Sequence, residues 1–217
     1  MFQTDPFSLI VLLVGLSLLP FIAMIATSYL KIVVVISLIR NALGIQSIPP
    51  NMVVNALAMI LSFYIMAPVC SEAWTIAKTE LAEKPAKVYE TEAVAKAAEP
   101  FREFLIHHTD DRERAFFVGT AEHLWGKDGE RATVDPDSFA ILLPSFCVTE
   151  LTKAFQIGFL VYLPFIAIDI IVSNILLAMG MMMVSPVTIS LPFKLLLFVM
   201  VDGWTLLIQG LVRGYVI

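Results

Sequence analysis

Four ionisable side chains stand inside otherwise apolar stretches of the sequence, namely Lys31, Asp169, Lys194 and Asp202. Placing a charge in a bilayer costs about 2.5 to 3.5 kcal/mol even on the lenient insertion scale, so such residues are functional candidates. If Ser185 marks the tip of a helical hairpin, Asp169 and Asp202 come level on its two arms. Two level aspartates are the chemistry of an intramembrane aspartyl protease. Asp202 lacks the Gly-x-Gly-Asp element of such enzymes, so we rank this function last.

Asp169 and Lys194 could instead neutralise each other as an ion pair. Counted from Ser185, Lys194 lies nine residues and Asp169 sixteen residues away, a difference in depth of about 10 Å. The sequence therefore predicts that the two do not meet within one chain. Since each charge would otherwise be unpaired in a dry environment, we predict a buried charge pair between neighbouring subunits.

No motif in the sequence points to catalysis, nucleotide binding or a metal. It has no Ser-His-Asp arrangement, no His-Glu-x-x-His, no Walker lysine loop and no Gly-x-Gly-x-x-Gly. His107, His108 and His123 do not match a zinc spacing, and we interpret them as surface residues. Cys70 and Cys147 flank a polar region and are either small buried apolar residues or a disulfide in an oxidising compartment. We predict a protein that is not an enzyme and uses no cofactor or metal.

A methionine cluster, Met179, Met181, Met182 and Met183, lies immediately before the expected hairpin tip. Three consecutive side chains on a helix project in three directions, so they cannot all belong to one packing stripe. Flexible thioethers around an axis could close a passage and still adapt to a passing chain. Ordinary apolar packing is the alternative interpretation.

Four long apolar segments must position these residues, over 7–30 with an extension to 39, 51–69, 154–184 and 187–212. A helix of roughly 20 residues crosses a hydrocarbon core about 30 Å thick, whereas the first and third segments would run about 50 and 46 Å. Either tilt and kinks at Pro20 and Pro164 absorb the excess, or these helices pack on neighbouring subunits.

The charges are concentrated in one part of the chain. Residues 71–138 hold nine of the 14 basic and 15 of the 19 acidic side chains, and the whole sequence is 59% hydrophobic. These values exclude a soluble protein, and the lack of a basic cluster excludes nucleic-acid binding. The sequence thus predicts a hairpin over 1–70, an acidic water-facing insert over 71–138 and a second hairpin over 139–217. Within the insert, short amphipathic helices are predicted over 72–84, 90–98 and 112–127.

The sparse charges also indicate an orientation. No acidic residue occurs between Asp5 and Glu72, while the connection between the first two segments holds Lys31 and Arg40. By the positive-inside rule this connection is cytoplasmic, which places the insert and both termini outside. The first segment lacks the charged n-region of a secretory signal, so we expect it to stay in the mature protein.

Several stretches carry a resemblance over nearly the whole chain. They run over 29–44, 48–51, 151–159, 163–169 and, above all, 179–194, Met-Gly-Met-Met-Met-Val-Ser-Pro-Val-Thr-Ile-Ser-Leu-Pro-Phe-Lys, continuing to Val201-Asp-Gly-Trp204. With these stretches the chain resembles the SctR/FliP family, the R-type core subunit of the type III secretion export apparatus and its flagellar counterpart. Flagellar members of this family usually begin with a cleaved signal sequence, whereas this chain begins directly at its first apolar segment, so we expect it to be more similar to the virulence-type branch.

The resemblance implies an all-α fold of membrane-type helical hairpins with a small helical extracytoplasmic insert. It also implies a subunit of an export gate in the bacterial inner membrane, through which unfolded proteins pass. About five copies would assemble with the small two-helix S-type subunit and the larger T-type subunit into a helical pore projecting to the periplasmic side. A small-solute or ion channel subunit is the alternative function.

The resemblance also assigns residues. It places the pore gasket at Met181, Met182 and Met183, and it makes Asp169 and Lys194 important for assembly. The partners it implies are further copies of the chain, the S-type and T-type subunits, unfolded secreted proteins in transit and membrane lipid.

Overall fold

The chain is helical wherever its structure is described. The computed structural model describes residues 6–45, 48–83, 91–126 and 132–215. Nine helices lie within these ranges, and no strand does: α1 (Pro6–Ile25), α2 (Tyr29–Ala42), α3 (Asn51–Glu83), α4 (Thr91–Ala97), α5 (Glu99–His108), α6 (Asp111–Leu124), α7 (Phe139–Ala178), α8 (Pro186–Met200) and α9 (Gly203–Arg213). The predicted all-α fold is confirmed.

Two of the helices are long and apolar enough to cross a membrane, α3 over Asn51–Glu80 and α7. Up to two more spans result if the bent pairs α1 with α2 and α8 with α9 each count as one. The four predicted apolar segments therefore correspond to two long helices and two bent pairs. Most of the exposed large apolar side chains lie on these helices, a surface that requires lipid or other protein rather than water.

Helix α3 begins at the predicted residue but ends much later. It continues from Asn51 through Pro68 to Glu83, so the prediction of a separate helix over 72–84 is wrong. No glycine or proline stands between Val69 and Glu83, and a change from apolar to polar side chains does not by itself interrupt the backbone. Lys84 lies outside the described residues.

The first apolar segment is interrupted at residues 26–28 rather than at Pro20, which lies inside α1. At the break the Thr27 hydroxyl donates to the carbonyl of Ala23, 2.6 Å away, and the Tyr29 amide donates to Thr27 Oγ1. A threonine side chain thus satisfies backbone groups where α1 ends and α2 begins. Pro164, the other predicted kink site, lies within the continuous α7.

Within the described part of residues 71–138, the end of α3 is followed by the short helices α4, α5 and α6. Helices α4 and α6 correspond to the predictions over 90–98 and 112–127, of which Glu90 and Lys127 lie outside the described residues. Helix α5 was not predicted, because a proline such as Pro100 usually ends or breaks a helix. Pro100 instead occupies the first turn of α5, where its missing N–H leaves no helical hydrogen bond unmade.

The chain forms two compact units. Unit 1 comprises Met1–Leu30 and Val69–Cys147, and unit 2 comprises Lys31–Pro68 and Val148–Ile217. These units group the residues by contact, whereas the predicted division at 1–70, 71–138 and 139–217 follows polarity along the chain and stays a prediction.

The core of unit 1 lies between α5 and the start of α7. Phe104 and Phe146 are buried with ring centroids 5.9 Å apart, and Leu105, Ile141 and Leu142 are buried with them. Arg114 joins α6 to the segment before α7 through an ion pair with Asp137 at 3.1 Å.

The core of unit 2 is built on α2. Its buried residues Ile32, Val35, Ile36 and Ile39 follow the helical repeat and form one apolar face. Helix α7 approaches this helix closely at Gly158, where an added Cβ would lie 2.4 Å from Leu38 Cδ1. A small residue at this position allows the two backbones to come together, as is common between membrane helices.

Candidate functional site

Helices α7 and α8 form an antiparallel hairpin in unit 2. Lys194 Nζ lies 2.6 Å from Asp169 Oδ2, and the rings of Phe165 and Phe198 lie 6.4 Å apart, one turn further from the tip. Both pairs are symmetrical about the point between Met181 and Met182. The methionine cluster therefore occupies the centre of the hairpin loop, residues 179–185.

The prediction that Asp169 and Lys194 do not meet within one chain is wrong. The predicted tip at Ser185 lies too far along the chain, because α7 already ends at Ala178. Measured from the helix ends, Asp169 lies nine residues before the end of α7 and Lys194 eight residues after the start of α8, so they are level. Because each charge finds its partner in its own chain, a partner from a neighbouring subunit is not required.

Lys194 also connects the hairpin to α2. Its ammonium donates to the carbonyl of Ala42 at 3.2 Å, and Ser190 donates to Asp169 Oδ1 at 2.6 Å. A cation near the carboxyl end of a helix is stabilised by the unpaired carbonyls there. The side chain of Lys194, which is 3% exposed, thus connects the carboxyl end of α2 to both α7 and α8.

A glycine motif shapes the methionine loop. Gly180 has φ +72°, its amide donates to the Leu177 carbonyl, and the amide of Met181 donates to the Leu176 carbonyl. This left-handed residue with paired bonds is a Schellman motif, which ends α7 and turns the chain. Beyond it, Met182 is 82% and Met183 100% exposed. In the single chain these two side chains are therefore not part of the core of unit 2.

Asp202 lies at the break between α8 and α9. Its φ is +52°, and its Oδ1 accepts a hydrogen bond from the Thr205 hydroxyl at 3.0 Å. Asp169 is instead level with Lys194, which precedes Asp202 by eight residues, or about 12 Å along a helix. The two aspartates therefore do not form the level pair that an aspartyl protease would need.

A second buried charge cluster was not predicted. Lys31 Nζ lies 3.1 Å and 3.2 Å from the two carboxylate oxygens of Glu150, and it stands 3.6 Å from the centroid of the Tyr215 ring. The Tyr215 hydroxyl donates to Glu150 Oε2. Lys31, Glu150 and Tyr215 are 4%, 0% and 7% exposed. Below, these three residues are called the Glu150 cluster.

The protonation of Tyr215, which lies beyond the end of α9, follows from its surroundings. Burial, together with the nearby Glu150 carboxylate, raises the pKa of Tyr215 far above its ordinary value. The phenol therefore stays protonated and acts as the donor. One sequence signal could have revealed the cluster, because Glu150 follows an apolar run that begins at Phe139, whereas the predicted third segment starts only at residue 154.

The histidines and cysteines of unit 1 complete the list of candidates. His107 and His123 are exposed as predicted, but His108 is buried, with Nδ1 2.9 Å from the Phe104 carbonyl. Its interpretation as a surface residue is wrong. Cys70 and Cys147 form no disulfide, and the Cys147 thiol donates to the Ile25 carbonyl at 3.7 Å. Among the described residues, no group of three or more His, Cys, Asp or Glu side chains could hold a metal.

Comparison with known proteins gives a consistent result. A model of the FliP family matches residues 12–211. The chain is 53% identical over 216 residues to "Yop proteins translocation protein R" of Yersinia pestis, with 97% of each chain covered. It is 50% identical over 210 residues to "Hypersensitivity response secretion protein HrcR" of Ralstonia nicotianae, with 96% of each covered. It is also 42% identical over 207 residues to "Flagellar biosynthetic protein FliP" of Bacillus subtilis, covering 95% of this chain and 90% of the relative.

Proposed function

The chain belongs to the FliP family, and from this premise we propose that it is a subunit of the gate through which unfolded proteins are exported across the bacterial inner membrane. The names of its relatives describe secretion and flagellar biosynthesis, so its role is in protein export, as a component of the apparatus and not as an enzyme. Its apolar helices associate it with the membrane.

The observation that carries this proposal is the position of the methionine loop. Met181, Met182 and Met183 lie at the centre of a hairpin whose arms are fixed by the Asp169 and Lys194 ion pair. Copies arranged around an axis would present these flexible side chains to one another. Such a ring closes on itself when empty and yields to side chains of different size when a polypeptide passes. We assign the gasket to these three residues.

The proposed assembly contains about five copies of the chain together with the small two-helix S-type subunit and the larger T-type subunit. Large apolar side chains exposed on α3 and α7, such as Phe63 and Phe159, supply surface for these partners and for lipid. We expect native mass spectrometry of the chain purified with its genomic neighbours to give a stable complex of this kind. A chain that remains monomeric in the presence of those neighbours would contradict the assembly.

We further propose that the acidic insert lies on the periplasmic side, because Arg40 stands beside the preceding connection and no acidic residue occurs between Asp5 and Glu72. Lys31 does not count toward this rule, because it is buried and paired with Glu150. Two contacts place that connection at the same end of unit 2 as the methionine loop: Lys194 binds the Ala42 carbonyl, and Gly44 adjoins Val187. This arrangement supports the proposed topology, in which both face the cytoplasmic side.

A fusion experiment tests the topology. Alkaline phosphatase joined after Gly119 in α6 is expected to be active in intact cells, whereas the same enzyme joined after Leu43, between α2 and α3, is expected to be inactive. A cytoplasm-dependent reporter such as a green fluorescent protein should give the opposite pattern. Strong fluorescence at the Gly119 fusion would overturn the proposed orientation.

A further inference from the structure

The break between α8 and α9 is a sharp bend. The two helices meet at an angle of 59°, and Asp202 between them adopts a left-handed conformation. An aspartate adopts this conformation more readily than most non-glycine residues, and Asp202 Oδ1 accepts a local hydrogen bond from the Thr205 hydroxyl. The next residue is Gly203, where an added Cβ would lie 2.4 Å from the ring of Phe198. The bend is therefore a fixed feature of the packed chain and not of the local sequence alone.

Edge-to-face packing of Trp204 on Phe198, with ring centroids 5.4 Å apart, positions the first turn of α9, and aliphatic side chains pack along the rest of the helix. Leu207 and Leu211 are its buried residues, one turn apart on one face. Neighbouring Leu206 is exposed, and the helix has no Cβ at Gly210. The aliphatic contacts of Leu207 and Leu211 favour burial but are not directional, so they define the far end of α9 less sharply than a hydrogen bond does.

The chain following α9 supplies a directional contact. Tyr215 donates its hydroxyl hydrogen to Glu150 of α7 and places its ring against the ammonium of Lys31 of α2. The Glu150 cluster thus joins three parts of unit 2 that are distant in sequence. A hydrogen bond to a carboxylate and a cation over a ring face both require defined geometry.

We infer that Tyr215 is a positioning residue that latches α9 onto α2 and α7 and thereby holds the bend at Asp202. This role goes beyond the proposed gate, because it concerns the arrangement within one chain and needs no partner or passenger. A buried Lys and Glu pair does not by itself favour folding, since desolvation offsets much of its attraction. Tyr215 adds a donor to the carboxylate and an apolar ring that keeps water from both charges.

Hydrogen exchange on the full chain in detergent tests the latch. In Tyr215→Phe the ring remains but the donor is lost, so we expect the amides of α9 to exchange at least about tenfold faster, since a hydrogen bond to a charged group is being removed. Amides of α2 and of the buried part of α7 should change by less than about twofold. Tyr64→Phe, which alters an exposed tyrosine on α3, is the matched control and should leave α9 unchanged.

Three outcomes would overturn the latch. One is unchanged exchange in α9. Another is an equal increase in α2, α7 and α9, which would make Tyr215 an ordinary core residue. The third is a Tyr215→Phe chain that does not fold, because release of a latch is local.

A variant that lacks both charges distinguishes the contribution of Tyr215 from that of the Lys31 and Glu150 ion pair. The double variant Lys31→Met with Glu150→Gln keeps a carbonyl oxygen that accepts the Tyr215 hydrogen, so α9 should remain within about threefold of its original exchange rate. Adding Tyr215→Phe to this background should again release α9 by about tenfold. If the double variant already releases α9 while Tyr215 is present, the charges hold the helix and the assignment to Tyr215 is wrong.

Discussion

Replacing Asp169 by Asn will destabilise unit 2 by about 3 to 5 kcal/mol, whereas replacing Lys194 by Met will cost only about 1 to 2 kcal/mol. The asymmetry follows from exposure, because the side chain of Lys194 is 4% exposed and that of Asp169 is 35% exposed. Without Asp169 the buried Lys194 side chain loses its counter-ion. Without Lys194 the carboxylate still accepts from Ser190 and reaches solvent.

Denaturant unfolding of the chain in detergent measures both values, and a double-mutant cycle measures the coupling. The double variant Asp169→Asn with Lys194→Met should be more stable than the Asp169→Asn single variant, since it removes the unpaired charge. Lys96→Met, which breaks an ion pair with Glu80 on the surface of unit 1, is the control and should cost at most about 1 kcal/mol. Additive costs in the cycle, or a larger cost for Lys194→Met, would contradict the buried pair.

The second large effect is expected at the methionine loop. Replacing Met181, Met182 and Met183 together by Ala should leave the assembled complex largely intact but let small ions pass through the resting gate. Side chains that stand free in the chain contribute little to its own packing, as the complete exposure of Met183 shows. Shortening them opens the constriction that flexible thioethers would fill, and β-branched replacements should seal poorly because they are stiff at χ1.

Membrane depolarisation of cells that express the assembled variant gives the leak, and a native gel gives the assembly. A matched control is the triple replacement of Met52, Met59 and Met200 by Ala, since these methionines are also exposed but lie on α3 and at the end of α8. This control should not leak. Lost assembly without any leak in the complex that remains would mean that the loop methionines are packing residues.

The sequence was sufficient for the all-α class and for the four apolar regions, because the apolar stretches are long and α3 and α8 begin within a residue of the predicted positions. The sequence did not predict the helix ends that depend on the backbone conformation of a single residue. The left-handed Gly180 ends α7 before the methionines, and this shift brings Asp169 level with Lys194. Asp202 is similar, since a left-handed aspartate between two helical stretches has no signature in apolar periodicity.

Pairings across long stretches of sequence were also beyond prediction. Glu150 and Lys31 are separated by 119 residues, and Tyr215 follows Glu150 by a further 65. No periodic pattern indicates that three such residues share one buried site. The pairing follows from the packing of α2 against α7, which Gly158 permits by its lack of a side chain.

The most direct test of the proposed gate is photocrosslinking to a stalled export substrate. A photoreactive residue placed at Met182 should crosslink to a secreted protein whose passage is blocked by a stably folded domain at its far end. The same residue at Phe63, another exposed position, which lies on α3, should not. We predict crosslinks to the substrate at Met182 but not at Phe63, and only while the substrate is stalled. Equal crosslinking at both positions, or none at Met182 while the substrate is stalled in the complex, would contradict the account.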